Sequence, residues 1–593
     1  MIKQRKSPRL RQAYLPARQG FGGQARFPGK QIKVKEVPDS VKIIALGGLE
    51  EVGRNMTLFE YQNQVLIVDM GLQFPDESMP GIDFIIPNIE YLTHHPEKKI
   101  LGLIITHAHY DHIGAIPYLI DKLNYPTIYT APLSQGIILK RQEDFIHLKK
   151  LHIEILDKNK LKSIKLGPFT LETFHLNHNI PDTLGLVIRT PVGNIFYATD
   201  FKFDFHPIGD EPADLSRITH LASKGVSLLM SDSTGAENPG HSISEKTIME
   251  NLDKIFVQAP GRIILASFSS LISRLQQAIW LSEKYNRKVT IEGFAMKTNV
   301  KIAEKLGYLQ IKKETLISWK EASQSDPKRI TILCTGAQGE SEAVLIRVVN
   351  REHKYLRIQK GDSVIFSSSI VPGNERAVQN LKDNLIKQGA KVYHYKMLDI
   401  HASGHGFQDD LKMMINKVNP KFFMPILGHY SMLSAHAELA ESVGIPKSNI
   451  VIAQNGQVIE LTANKINATE KFVPTNYVMV DGLGVGDIGE IVLRDRQTLS
   501  QDGIFLIIVL VDRKTGLVYN NPEIVSRGFV YMKESKELLQ EVKKLISEIV
   551  SRCTKEQTFN EAYIRNSLRD KIGLYLFKKT KRRPMVLPVV IEI

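Results

Sequence analysis

Residues 106–114 read THAHYDHIG and place His107, His109, Asp111 and His112 within six positions, directly after the apolar run ILGLII. Imidazole nitrogen and carboxylate oxygen are the donors that zinc-type ions take readily. On an extended segment His107 and His109 point to the same side, because side chains alternate. A helix starting near His112 would turn Asp111 and His112 toward a second point. One short loop then presents two ion positions close together, an arrangement that activates water for hydrolysis. A histidine pair alone is commonplace, but H-x-H-x-D-H behind a buried strand is a metal-site pattern.

Such a loop needs a scaffold, and the apolar runs supply one. Strands are predicted at SVKIIALGG (40–48), QVLIVDMG (64–71), ILGLIIT (100–106), LGLVIRT (184–190), NIFYATD (194–200) and VSLLMSD (226–232). Helical stretches such as AIPYLIDKL (115–123) lie between some of them, so the expectation is a layered α/β architecture. From 241 to 394, strands KVTIEG, RITILCTG and DSVIFSSS alternate with helices such as SRLQQAIWLSEKY, the pattern of a parallel βαβ-type domain. NPKFFMPILGHY (419–430) returns to the strand-then-site style. The polar segment 461–476 reads as a linker, and 477–593 as a small α+β domain with GIFLIIVLVD, KELLQEVKKLISEIV and MVLPVVIEI as its elements. No internal repeat is visible.

The 593 residues exceed one ordinary core, so several domains are expected. No apolar run is long enough to span a bilayer. The start has positive charge without an apolar segment behind it, which argues against a secretory signal. Cys334 and Cys553 are the only cysteines, too few for a disulfide framework or a thiolate zinc site, and they fit a reducing, cytoplasmic setting. Of the formal charge of +14, ten positive residues and no acid lie in 1–35, leaving +4 for the rest. Residues 1–36 are therefore expected to be a disordered basic arm that adds phosphate contacts to a nucleic acid.

THAHYDHIGA resembles the signature of the metallo-β-lactamase superfamily. LLMSDSTGAENPG, ILCTGAQGESEA, VIFSSSIVPGNE, HASGHGFQDDLKMMI and FFMPILGHY are similar to successive motifs of ribonuclease J, in the β-CASP branch. The likeness continues through VDGLGVGDIGEIVLRDRQTLSQDG, SRGFVYMKES and KKTKRRPMVLPVVIEI, and covers roughly residues 40–593. It implies an αββα metallo-β-lactamase sandwich (37–240 and 395–460), an inserted β-CASP α/β domain (241–394) and a C-terminal α+β domain that aids dimerisation.

By that resemblance His107, His109, His178 and Asp200 would hold one zinc. Asp111, His112 and the shared Asp200 would hold the other. Asp69 would orient a ligand histidine. Asp232 would assist proton transfer with His405 as its partner, and His401, Ala402, Ser403, Gly404 and His405 would form a pocket for substrate phosphate. A structural Ca2+ near Asp481 is also implied by the family. The G-x-G-x-x-G at Gly484, Gly486 and Gly489 is set aside as a dinucleotide fingerprint, because EIVLRD behind it reads as a strand.

Two departures stand out. Where the family carries a metal-ligating histidine, this chain has Leu427, and His429 takes the place of a glutamate. Leu271, Ile272 and Ser273 replace most of a family Asn-x-His-Arg, leaving Arg274. Three outcomes stay open at the second ion: one ligand fewer, rescue by His429, or filling only with substrate present. The preferred one is a weakened site, with one tight zinc and one loose ion supplied by Zn2+, Mn2+ or Mg2+. The expected function is metal-dependent RNA hydrolysis, 5′-to-3′ exonucleolytic with a preference for 5′-monophosphate ends plus endonucleolytic, in RNA maturation and decay. The expected assembly is a homodimer or homotetramer, or a hetero-oligomer with a paralogue, away from membranes. The rivals are a weakly catalytic subunit that stabilises an active paralogue, a DNA-directed β-CASP nuclease and, least favoured, a small-molecule lactamase or thioesterase.

Overall fold

A computed structural model describes residues 39–593 apart from 77, 157–162, 341–342, 371–372, 483, 531–534 and 557–559. The basic segment 1–36 lies outside the described residues. Two sheets face each other across one core. The first has eight strands in the order Ile466–Phe472, Gln457–Leu461, Val41–Gly47, Met56–Tyr61, Gln64–Val68, Lys99–Ile104, Ile128–Thr130 and Ile153–Ile155. The second has six: Phe422–Ile426, Leu228–Asp232, Gly193–Ala198, Thr183–Thr190, Phe169–Leu176 and Ile164–Leu166.

The alternation of the strands explains the layering. Val41, Ile43, Phe59, Leu66 and Ile104 of the first sheet pack with Leu186, Ile195, Tyr197, Met230 and Met424 of the second. Opposite faces of the same strands take helices: Ile218, Leu221, Leu411, Met414 and Ile415 cover Val187, Phe196 and Leu229. The outcome is the expected αββα sandwich.

The sheet of the 241–394 region is all parallel, in the order Lys288–Glu292, Ile330–Cys334, Ile263–Ala266, Ser363–Phe366 and Lys391–His394. Helices such as Ile272–Lys284 and Glu375–Lys387 alternate with these strands. At the C-terminal end, Ile504–Val511 alternates buried and half-buried positions. It pairs parallel with Met585–Glu592 and antiparallel with Glu523–Arg527, against helices Lys536–Glu556 and Glu561–Thr580.

Three local expectations are corrected. The polar segment read as a linker contains the strand Ile466–Phe472, whose residues are mostly exposed because it forms an edge of the eight-stranded sheet. EIVLRD opens the helix Glu490–Asp502 rather than a strand. Ile491 and Val492, the residues that suggested a strand, are exposed, and Arg496 one turn further on pairs with Asp481. The dinucleotide reading fails all the same: the preceding strand Val478–Asp481 sits in an antiparallel sheet with Phe84–Ile86 and Gly484–Val485, with no βαβ unit around it. Finally, the helix expected over 115–123 is a single turn, Ile116–Leu119.

Candidate metal centre

The polar side chains of the centre lie just past strand ends on both sheets of the sandwich. His107 and His109 follow Lys99–Ile104, His178 follows Phe169–Leu176, Asp200 follows Gly193–Ala198, and Asp232 closes Leu228–Asp232. Backbone bonds from Asn55, Met70 and Leu72 to the carbonyls of Asp111, His112 and Tyr110 hold the histidine-rich loop in place. Gly71 is required there, because a Cβ would lie 1.5 Å from the Asp111 carbonyl oxygen.

One group of donors comprises His107, His109, His178 and Asp200. His109 Nδ1 lies 3.2 Å from His107 Nε2 and 3.0 Å from His178 Nε2, and the Asp200 Oδ2 oxygen is 3.7 and 3.6 Å from those two Nε2 atoms. A second group is Asp111, His112 and Asp200, with His112 Nε2 3.4 Å from an oxygen of each carboxylate. Tetrahedral ligands with bonds of about 2.1 Å stand about 3.4 Å apart, so both groups are spaced as ligands around an ion.

Their electrostatics suit cations. Burial first, then the neighbouring histidines, hold His107 and His178 well below the ordinary imidazole range. Burial also pushes His109 down to about 4. These rings are neutral and keep a lone pair to donate. At His112 burial pulls downward, but Asp111, Asp200 and Asp69 outweigh it and raise the pKa. The carboxyl of Asp200 is raised, chiefly by burial. Acidic oxygens massed in a buried site are what a bound cation would compensate. The donor set therefore fits divalent ions.

Asp69 accepts from His112 Nδ1 at 2.8 Å and from the Thr106 backbone N–H at 2.8 Å. The bond holds a proton on Nδ1, so Nε2 is the atom that would face a cation. His405 Nδ1 is 2.8 Å from Asp232 Oδ2, and the other Asp232 oxygen accepts from the Thr234 backbone and hydroxyl. Burial lowers His405, yet Asp232 and Asp200 raise it to about 9; Asp232 in turn is lowered by His405 against the upward pull of burial. The segment 401–405 lies beside the centre: the Gly404 carbonyl accepts from His178 Nδ1 at 2.7 Å, Ser403 Oγ accepts from the His405 N–H, and Ala402 is buried. His401 Nδ1 is buried with no hydrogen-bond partner among the described residues.

The positions where the chain departs from the family pattern, and Asp481, lie as follows. Leu427 packs in the core between the sheets at φ 58° and supplies no donor. His429 is exposed at the start of helix Tyr430–Ser442 and belongs to neither donor group. Arg274 is fully buried and spent on Glu245, Gln277, Ser367 and the Ile400 carbonyl, so it braces the scaffold. Asp481 is ion-paired with Arg496 and joins no His/Asp/Glu group among the described residues. The sequence reading missed Asn55 and Thr234. Thr234 could have been seen, since a hydroxyl two residues past an aspartate commonly closes a turn on it. Asn55 sits in an aperiodic loop and gave no signal.

Comparison with known proteins agrees with this architecture. Residues 80–238 match the model of the beta-lactamase superfamily domain, and 260–385 match the ribonuclease J beta-CASP domain. Residues 393–451 match the Zn-dependent metallo-hydrolase RNA specificity domain, and 491–593 the ribonuclease J C-terminal domain. Ribonuclease J 1 of Streptococcus pyogenes serotype M3 is 40% identical over 554 residues, 93% of this chain and 98% of its own length. Ribonuclease J2 of Bacillus subtilis is 35% identical, over 94% of this chain and its whole length. A crystal structure of a protein of unknown function from Enterococcus faecalis V583 shares the fold, with a TM-score of 0.51 at 17% identity over 71% of this chain and all of that one. The chain belongs to the ribonuclease J family.

Proposed function

We propose that this chain is a metal-dependent ribonuclease that hydrolyses RNA phosphodiester bonds, acting as a 5′-to-3′ exonuclease on 5′-monophosphate ends and also as an endonuclease. The observation that carries the reading is the convergence of His107, His109, His178, Asp111 and His112 on the shared carboxylate of Asp200. Two divalent ions, zinc foremost with Mn2+ or Mg2+ as substitutes in the second position, would supply Lewis-acid activation of water and charge stabilisation at phosphorus. The remaining work falls to the chain. Asp200 faces both donor groups and fixes their separation. Asp69 locks the ring of His112. Asp232 keeps His405 protonated at neutral pH, so that this imidazolium can donate its proton to the leaving oxygen.

The loop 401–405 supports the exonuclease reading. Ser403 offers a hydroxyl between His401 and the pair Gly404 and His405 that touches the metal centre, and we take this loop as the pocket for a single 5′ phosphate. RNA with a 5′-monophosphate should therefore yield mononucleotides faster than the same RNA with a 5′-triphosphate, in a digestion of end-labelled substrate resolved on a gel. Equal rates from both, with internal cuts only, contradict this use of the pocket.

A homo-oligomer is supported by the C-terminal sheet, where Leu587, Val589 and Ile591 leave an apolar face exposed. No helix among the described residues is long and apolar enough to cross a membrane, and we take the cytoplasm as the place of action. One observation favours a second reading. Leu427 removes a family ligand, as would suit a weakly catalytic subunit that supports an active paralogue.

A further inference from the structure

Leu427 offers the second ion no donor, and the side chain that faces its ligands His112 and Asp111 is Asn55. Its side chain is buried, with 3% exposed, and its backbone is bonded on both sides of the centre: N–H to the Asp111 carbonyl at 3.0 Å, carbonyl from the Gly71 N–H at 2.9 Å. The carboxamide ends between the two ligands of the second group. Nδ2 lies 2.9 Å from His112 Nε2 and 3.3 Å from Asp111 Oδ2. With His112 Nε2 and Asp111 Oδ2 themselves 3.4 Å apart, the three atoms form a triangle of the size that ligands around one small ion make.

The other end of the amide is as informative. Asn55 Oδ1 is buried and accepts no hydrogen bond from the described residues. A buried amide oxygen without a donor is costly, about 1–3 kcal/mol. A half-turn about the Cβ–Cγ bond exchanges oxygen and nitrogen without altering the shape of the side chain. It would bring that oxygen to face His112 Nε2 and Asp111 Oδ2, and the Oδ1 end gives up no bond in the turn. With an ion present, an N–H pair aimed at the cation is repelled and a carbonyl oxygen is attracted. Leu427 is a neighbour of the same side chain: a Cβ built on Gly48 would meet Asn55 Oδ1 at 2.4 Å and Leu427 Cδ2 at 3.4 Å, so the far end of the amide and the leucine both adjoin Gly48.

We propose that the Asn55 carboxamide oxygen is a ligand of the second ion, in the place that Leu427 leaves without a donor. The inference rests on the two-ion reading of the centre. It also names the ion class. An imidazole replaced by a carbonyl oxygen makes the Asp111–His112–Asp200–Asn55 set mostly oxygen, and such sets suit Mn2+ and Mg2+ better than zinc. The chain would hold zinc at His107, His109 and His178 and a harder ion beside it.

The test uses full-length protein, stripped with chelator, reloaded with one equivalent of Zn2+ and titrated with Mn2+ while electron paramagnetic resonance reads the free ion. Wild type is expected to take up one Mn2+. Asn55→Ala should weaken that uptake by at least about tenfold, the scale on which even outer-shell changes act. Asn55→Asp keeps the shape and offers oxygen at both ends, so it should bind Mn2+ at least as tightly as wild type. Leu427→His should shift the second site toward Zn2+. Retention of the first zinc by each variant, from metal analysis, reports an intact fold. If Asn55→Ala keeps wild-type Mn2+ affinity while Asp111→Ala loses it, the assignment to Asn55 is wrong and the second site stands. If Asn55→Asp loses Mn2+ as Asn55→Ala does, the amide serves as a donor to His112 and the proposal fails. If Asp111→Ala changes nothing either, the two-ion reading itself falls, and the proposal with it.

Discussion

An Asp200→Asn variant is expected to lose both ions and to cleave RNA more than about 100-fold more slowly than wild type. The scale follows from its position. Changes to groups that merely orient ligands cost about 10- to 100-fold in metal affinity or activity. Asp200 Oδ2 stands instead within 3.4–3.7 Å of His107, His112 and His178 and belongs to every donor group at the centre. An amide at this place keeps the shape but withdraws the charge that both ions share, and it can turn an N–H toward them. Metal content and initial cleavage rate, measured on the same chelator-washed preparation, check the prediction. Near-normal cleavage would show that Asp200 does not join the two groups.

The second large effect is expected at His405. A positioned proton donor is worth about 10²- to 10⁴-fold, so His405→Ala should lower kcat on RNA by that order. A phosphodiester with a nitrophenolate leaving group needs no proton at departure and should be largely spared. If both substrates slow equally, His405 is not the proton donor. The pH profile adds a signed test. If His405 is the proton donor, its protonated form is the active one, and activity is lost as pH rises through its pKa. Asp232 and Asp200 raise that pKa, so Asp232→Asn should move the alkaline limb of kcat to lower pH. A limb that stays in place or moves upward contradicts the pairing seen at 2.8 Å.

Much of this centre was legible because its chemistry is written in short, dense patterns. H-x-H-x-D-H behind a strand declares metal ligands, and the strand-end positions of His178, Asp200 and Asp232 follow once the sandwich is recognised. The strands themselves were visible because they are buried and apolar, as in QVLIV and LLMSD. What stayed hidden depends on contacts between distant segments. The strand at 466–472 is polar because it lies at a sheet edge, and its sequence carries no alternating apolar signal. EIVLRD looks like a strand because its apolar residues are adjacent, yet they face solvent on a helix. Arg274 stood out only as the surviving residue of a family motif, and only the fold shows its guanidinium spent on internal partners. Asn55 is a similar case: it is 56 residues from Asp111 in sequence, and only the folded chain brings its amide to the metal centre.

The central claim is that the His/Asp centre makes this chain a metal-dependent ribonuclease in its own right. The most direct measurement is cleavage of a 5′-monophosphorylated, end-labelled RNA by purified protein, without any paralogue, before and after removal of metal and during its stepwise return. Cleavage should vanish in the stripped protein and rise in step with the ions bound by the Asp200 groups. Cleavage that persists without metal, or that stays absent when both positions are filled, would contradict it.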